Sequence, residues 1–227
     1  AISNNAFNGC TNLTSVTIPS SVTSIGNNAF NGCTNLTSVT IPSSVTSINE
    51  YTFSGCTGLT SVTIPSSVTS IGNSAFSGCT RLNTVTVPDT VTTIGSYAFY
   101  NVLNITYNGS ATGSPWGALS VNGYVDGDIV YTDNTKTTLV GCNKSATSVV
   151  IPNTVTTIGN NAFRYCDELT SVTVPASVTS IGNKAFENVK FSYEDGQEVL
   201  KGVTFDIPQG TTLGILGGTG SGKSTIT

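Results

Sequence analysis

The sequence predicts a solenoid of stacked 23-residue coils, mostly β with short helical turns. Two observations carry this prediction. The residues around each phenylalanine are nearly the same, and charged residues make up only 9% of the chain. A chain that repeats at this period buries the apolar face of each coil against the next one. The repeating phenylalanines are Phe7, Phe30, Phe53, Phe76 and Phe99.

One unit, residues 13–35, reads LTSVTIPSSVTSIGNNAFNGCTN. Its opening, Leu-x-x-Val-x-Ile, has the spacing of a leucine-rich repeat strand, and Pro19 ends that strand. A second extended piece follows over residues 22–25, and the AF-x-x-C segment predicts a helical turn. The residues expected to point inward are Leu13, Val16, Ile18, Val22, Ile25, Ala29, Phe30 and Cys33.

A recurrent glycine follows the second extended piece, and the second coil has Asn49 at this position. Because asparagine is the usual substitute where φ is positive, the pattern predicts a left-handed residue there. The glycines are Gly26, Gly72, Gly95, Gly159 and Gly182.

The repeats predict four segments: repeats over 1–104, an insertion or elaborated coil over 105–145, repeats over 146–189, and a different segment over 190–227. The insertion holds a predicted β-hairpin in GYVDGDIVYTDNTKTTLVGC. It also holds Tyr107, Trp116, Tyr124 and Tyr131, which are candidates for protein binding because such rings anchor interfaces. The alternative is that these rings fill a small core of the insertion itself.

Cys10, Cys33, Cys56 and Cys79 recur at the repeat spacing, but Val102 and Val189 occupy the same slot in other coils. We therefore predict a ladder of buried thiols rather than disulfides or a metal site. Asp126, Asp128 and Asp133 offer oxygens to calcium, but an Asp-Gly-Asp hairpin turn needs no metal. The cysteines are Cys10, Cys33, Cys56, Cys79, Cys142 and Cys166.

Composition excludes several function classes. The chain has no histidine, and its serines and threonines have no evident base partner, so we expect no enzyme in the repeats. A net charge of −4 argues against nucleic acid as a partner. No apolar run approaches the roughly 18 residues of a membrane helix, so no membrane span is expected.

Residues 1–189, and especially IPSSVTSIGNNAFNGC with its copies, resemble the BspA-like leucine-rich repeat family of surface proteins. The resemblance implies a secreted or cell-surface module that binds a protein ligand, a host surface or other cells. It specifies a scaffold and assigns no binding residues.

Residues 190–227 contain two predicted strands, 203–207 and 212–216, and then the phosphate-loop spelling GGTGSGKS. This segment resembles the start of an exporter-type ABC-transporter nucleotide-binding domain. The resemblance implies backbone N–H groups around the β-phosphate, Lys223 on the β and γ oxygens, Ser224 on Mg²⁺, and Tyr193 stacked on adenine. The implied nucleotide-binding residues are Tyr193, Gly217, Gly218, Thr219, Gly220, Ser221, Gly222, Lys223, Ser224 and Thr225.

The two resemblances predict different functions. The first predicts a non-enzymatic, secreted or cell-surface scaffold for protein binding or adhesion, with no cofactor. The second predicts an ATP-binding transporter subunit at the cytoplasmic face of a membrane, which would use ATP and Mg²⁺ only if the rest of the domain followed. We expect the chain to be a fragment at both ends and its junction near residue 190 to be a chimera.

Overall fold

The computed structural model describes residues 1–189. The chain divides into two compact units, Ala1–Val130 and Tyr131–Thr227. In the first unit, short parallel strands from successive coils pair along two sides of the stack. One side carries β1 (Ser38–Thr40), β3 (Ser61–Thr63), β5 (Thr84–Thr86) and β7 (Asn104–Thr106), and the other carries β2 (Ser47–Ile48), β4 (Ser70–Ile71) and β6 (Thr93–Ile94).

The strand register confirms the 23-residue coil. Ser38 pairs with Ser61 and Ser47 with Ser70, so each residue lies beside its own copy in the next coil. The coil that precedes the 105–145 segment is shortened, because Thr84 pairs with Asn104, only 20 residues further on. The fold class that the repeats predict, a leucine-rich-repeat solenoid, is thereby confirmed.

The predicted hairpin is also present. Strand β8 (Tyr124–Asp126) is hydrogen-bonded to β9 (Ile129–Tyr131), and the connecting Gly127 has a φ of 59°. A tight connection of this kind needs a residue that tolerates positive φ, which glycine does.

The second unit repeats the architecture. Strands β10 (Thr138–Cys142), β12 (Thr157–Ile158) and β14 (Ser180–Ile181) pair in parallel, and β11 (Ser148–Val150) pairs with β13 (Ser171–Thr173). The first of these coils is short, since Thr138 pairs with Thr157, 19 residues further on. The rings of Phe163 and Phe186 stack with 4.8 Å between their centroids.

A file of stacked phenylalanines forms the centre of the first unit. The ring centroids of Phe30 and Phe53 lie 5.4 Å apart and their planes differ by 3°, and Phe76 and Phe99 stack at 5.5 Å. These four rings are completely buried. Stacking explains the strict period, because an aromatic side chain in one coil needs a ring at the same height in the next.

The AF-x-x-C segment is a series of tight turns, and the described residues contain no helix. Hydrogen bonds run from Ala29 N to Gly26 O and from Cys33 N to Phe30 O. Helical propagation is interrupted because Asn28 has a φ of 55° and Gly32 a φ of 70°. The sequence-based prediction of a short helical turn is therefore replaced by two successive left-handed corners.

The left-handed position was predicted at the wrong residue. Positive φ occurs two and six residues after Gly26, at Asn28 and Gly32, and not at Gly26 itself. Gly26 is needed for space, because a Cβ there would lie 2.5 Å from the backbone nitrogen of Asn4 in the preceding coil. Asn49 occupies the equivalent position in the next coil. The Gly26 backbone N–H donates to Ile2 O of the preceding coil, and the Asn49 side-chain amide makes the corresponding hydrogen bond to Ile25 O, at 2.7 Å.

The thiol ladder is confirmed for five cysteines, while Cys10 in the first coil is exposed. No disulfide links cysteines within residues 1–189. The thiols also donate hydrogen bonds: Cys56 Sγ lies 3.1 Å from Phe30 O, and Cys79 Sγ lies 3.2 Å from Phe53 O. Burial is the main cause that raises the pKa of Cys56 to about 12, with the neighbouring Cys33 adding to the effect.

Candidate binding surfaces

Three of the four aromatic residues predicted to bind protein lie in the core. Tyr107, Trp116 and Tyr131 are at most 6% exposed, whereas Tyr124 is 41% exposed. The rings of Tyr107 and Trp116 pack edge to face at 5.6 Å. Their polar atoms are used internally, because Trp116 Nε1 donates to Thr112 O and the Tyr107 hydroxyl accepts from Ala111 N. In the first unit Tyr107 and Trp116 therefore belong to the same buried cluster as the phenylalanines and do not form a separate core of the insertion, and of the four aromatic residues only Tyr124 is placed to meet a partner.

Besides Tyr124, the first unit has three exposed aromatic residues, and these lie on the turns next to the stacked phenylalanines. Tyr51 is 43% exposed, Tyr97 is 64% exposed and Tyr100 is 41% exposed. Tyr97 and Tyr100 pack edge to face, with ring centroids 5.9 Å apart. We call these three residues the tyrosine face. Sequence reasoning missed it, although the signal was visible: tyrosine stands where other copies have Asn or Ser.

Tyr51 and Tyr97 occupy the same position of coils that are two steps apart. Hydrogen bonds from Tyr51 N to Asn73 O and from Ser74 N to Ser96 O align this position from coil to coil. The phenylalanine rings beneath advance by 5.4 and 5.5 Å over these two steps. The two tyrosine positions are therefore about 11 Å apart, with Ser74 between them.

Few charges surround the tyrosine face. Glu50, Arg81 and Asp89 are the only charged side chains among residues 1–100. Glu50 immediately precedes Tyr51, and its carboxylate accepts a hydrogen bond from Asn73 Nδ2 at 2.9 Å. The polar groups nearby are thus mainly neutral hydroxyls and amides, with one carboxylate at the margin.

A second surface of the first unit is the outward side of the strand face. In β1, β3 and β5 the central valine points inward, and the flanking serines and threonines are exposed. Parallel register places Ser38 beside Ser61 and Thr40 beside Thr63, so the hydroxyl groups form columns. We call this surface the hydroxyl face; its exposed residues are Ser38, Thr40, Ser61, Thr63, Thr84 and Thr86.

The second unit carries a charged cluster. The Arg164 guanidinium lies over the ring of Tyr165, 4.6 Å from its centroid, and Arg164 also forms an ion pair with Glu187. Lys184 Nζ is 2.9 Å from a Glu187 carboxylate oxygen, and this hydrogen bond is the main cause that lowers the pKa of Glu187. Tyr165 therefore differs from the tyrosine face in having a cation on its ring.

A buried lysine lies beside a buried thiol in the same unit. Lys144 is only 9% exposed, and its ammonium donates to Arg164 O and lies 3.6 Å from Cys166 Sγ. A hydrogen bond with the Cys142 side chain and the nearby Lys144 charge hold the pKa of Cys166 below its ordinary value, against the effect of burial.

The described part of the chain contains no metal cluster and does not reach the predicted nucleotide site. No group of three His, Cys, Asp or Glu side chains in residues 1–189 is placed to hold a metal ion. Asp133 instead accepts hydrogen bonds from the side chain and the backbone N–H of Thr135, which lower its pKa. All ten residues of the predicted nucleotide site, from Tyr193 to Thr225, lie outside the described residues. Within residues 1–189 no helix has the length and apolarity to cross a membrane.

Comparison with protein families gives one match that covers most of the chain. A family model described as "BspA type Leucine rich repeat region" matches residues 1–109 and 139–201 in six copies. Similar solved structures include a leucine-rich repeat protein from T. pallidum, 25% identical with a TM-score of 0.45, covering 80% of this chain and 65% of that one. A leucine-rich cell surface protein from Faecalibacterium prausnitzii is 32% identical with a TM-score of 0.40, covering 83% of this chain and 56% of that one.

Curated proteins match over a short stretch only. The mitochondrial iron-sulfur clusters transporter ABCB7 of Rattus norvegicus is 60% identical over 40 residues, which is 18% of this chain and 5% of the transporter. The ATP-dependent lipid A-core flippase of Chromohalobacter salexigens is 56% identical over 41 residues, again 18% of this chain and 7% of the flippase. The chain therefore spans a small part of these transporters.

Proposed function

We propose, from the premise that this chain belongs to the BspA type leucine-rich repeat family, that it is a non-enzymatic protein-binding scaffold at a cell surface. The observation that carries the proposal is the hydroxyl face. Its strands place exposed serines and threonines in register in two neighbouring coils, β5 carries the same exposed pattern in the next coil, and short side chains lose little rotamer freedom when a partner covers them.

The hydroxyl face is suited to recognition and not to chemistry. Ser61 and Thr63 provide donors and acceptors, but the chain contains no histidine to activate a hydroxyl group. The buried centre of each strand, such as Val85, fixes the strand against the core and so keeps the outer side chains in place. A partner with an exposed strand or loop can hydrogen-bond to such a face along several coils.

The test measures adhesion of beads coated with the full chain to a monolayer of cultured epithelial cells. Beads are expected to adhere, and trypsin treatment of the cell surface is expected to abolish adhesion because the partner is a protein. Thr63→Arg places a long charged side chain on the hydroxyl face and should reduce adhesion at least about tenfold. Thr92→Arg is the matched control, because Thr92 is also exposed but immediately precedes β6 (Thr93–Ile94), in the other strand column. Equal adhesion of the two variants, or adhesion that survives trypsin, would contradict the proposal.

A second candidate function is nucleotide binding by residues 190–227. It is favoured by the complete phosphate-loop spelling around Lys223 and by the 40-residue match to an ATP-binding transporter. Calorimetric titration of the full chain with ATP and Mg²⁺ tests it, with Lys223→Ala as the variant. Magnesium-dependent binding that disappears in the variant would support this function, and the absence of binding heat would exclude it for this chain.

A further inference from the structure

The tyrosine face is built at an energetic cost that the fold does not require. The backbone at Tyr51 has a φ of 54° and at Tyr97 a φ of 55°, in the left-handed region that bulky residues rarely adopt. Each such residue is strained relative to a glycine at the same position. At the same position other coils use Asn28 and Asn161, which tolerate this conformation better.

Strained positions of this kind cluster at ligand sites, where the gain is in binding and not in stability. The side chains of Tyr51 and Tyr97 are exposed, so packing within the unit does not explain why tyrosine replaces asparagine there. Tyr100 is the third residue of the tyrosine face. Its ring packs edge to face with the Tyr97 ring and so restricts the orientation of Tyr97. Because the Tyr97 ring is already held in one orientation, it loses little conformational entropy when a ligand binds. This favours a ligand that stacks on the ring.

The chemistry around the rings identifies the ligand class. Two rings about 11 Å apart, with the half-buried Ser74 between them, form an elongated track along the stack. The faces of sugar rings carry C–H groups with partial positive charge, and these stack on the negative face of a phenol ring. Sugar hydroxyl groups match the neutral hydroxyls and amides of Ser74 and Asn73.

Charge decides which sugars fit. The Glu50 carboxylate lies beside the track, where it accepts from Asn73, and it repels sialylated, sulfated or uronic acid residues. No lysine or arginine neighbours Tyr51, Tyr97 or Tyr100 in the sequence. We propose that the tyrosine face binds an uncharged oligosaccharide, stacked on Tyr51 and Tyr97 along the axis of the coils. This site is separate from the hydroxyl face, so either proposal can fail alone.

The test is binding of the full chain to an array of immobilised neutral and acidic glycans, followed by titration of the best neutral glycan. Tyr51→Asn combined with Tyr97→Asn removes both rings and installs the residue that Asn28 already uses, so the fold is preserved. Affinity is expected to fall at least about tenfold. Tyr165→Asn is the matched control, since that ring is equally exposed but covered by Arg164, and it should leave affinity unchanged.

High salt should leave the affinity of the neutral glycan unchanged, because no charge pair contributes to it. The proposal is overturned if no neutral glycan binds, if only acidic glycans bind, or if the double variant binds as tightly as the parent chain. A further outcome would also overturn it. If the parent chain bound no glycan and the double variant abolished the trypsin-sensitive adhesion of beads, the tyrosine face would be a contact surface for a protein.

Discussion

The ammonium group of Lys144 donates a hydrogen bond to the backbone oxygen of Arg164 and so replaces a backbone donor that the short coil lacks. In regular coils the equivalent oxygen accepts from a backbone N–H of the preceding coil, as Ser77 O does from Gly55 N. The coil before Arg164 is four residues shorter than the repeat, which removes that turn. The long lysine side chain spans the gap.

Lys144→Met keeps the aliphatic length but leaves the Arg164 oxygen without this donor. We expect the free energy of unfolding to fall by about 1–3 kcal/mol, the usual cost of a buried polar group without a partner. Urea unfolding followed by circular dichroism measures it. Lys184→Met is the control, since Lys184 is half-exposed and should change stability by less than about 1 kcal/mol. Similar losses in both variants would contradict the role given to Lys144.

The repeat period was predictable because it is set by core contacts that each coil makes with a copy of itself. Phe30, Phe53 and Phe76 had to stack once the period and the apolar spacing were recognised, and the structure stacks them. The short coil before Arg164 was not predictable. Its lost donor is replaced by one side chain, Lys144, whose role becomes visible only when the coils are aligned by register.

The left-handed corners were misplaced for a related reason. Glycine at position 26 and its copies predicts positive φ from the sequence, but a glycine is also required where a Cβ has no room. At Gly72 a Cβ would lie 2.7 Å from Glu50 N, a contact between coils that no single coil reveals. The first corner of each coil carries Asn, Tyr, Ser or Lys, so composition did not mark it, whereas the second corner carries glycine at Gly32, Gly55 and Gly78.

Gly72→Ala should therefore destabilise the chain through overlap with the preceding coil, by about 1–3 kcal/mol. Ser74→Gly, two residues further on, relieves a φ of 52° and should leave stability unchanged or raise it. Thermal and urea unfolding of the two variants measure both effects. A neutral Gly72→Ala together with a destabilising Ser74→Gly would contradict both the close approach of the coils at Gly72 and the strain given to the left-handed backbone at Ser74.

Phe76→Ala should cost about 3–5 kcal/mol of unfolding free energy, because it opens a cavity in the middle of the file and removes a stacking partner on both sides. Phe7→Ala should cost less, since the Phe7 ring is partly exposed and stacks on Phe30 only. Urea unfolding of the two variants is the measurement. Equal costs would mean that the stacked file does not set the stability of the first unit.

Alkaline pH should destabilise the thiol ladder. The pKa of Cys56 rises from an ordinary value of 9.0 to about 12, so between these values the folded state keeps a proton that the unfolded state releases. The stabilisation is complete below pH 9.0 and is lost as the pH rises towards 12, by at most about 1.4 kcal/mol per pH unit for this thiol. Urea unfolding at a series of pH values, from pH 8 upward over on the order of three pH units, measures this loss of unfolding free energy.

Cys56→Val is the control variant, because it installs the residue that Val102 provides in the same slot. Its unfolding free energy should decline less steeply with pH. Parallel declines would show that Cys56 does not contribute.

Tyr51→Asn should raise the free energy of unfolding by about 1 kcal/mol, because asparagine adopts the left-handed backbone more readily and the exposed ring contributes little packing. The reverse exchange at the same position of the preceding coil, Asn28→Tyr, should lower it by a similar amount. That variant also loses the hydrogen bond from Asn31 Nδ2 to Asn28 Oδ1. Paired urea unfolding curves measure both changes. If Tyr51→Asn destabilised the chain, the ring would be a packing residue of the first unit, and tyrosine would be explained without a ligand.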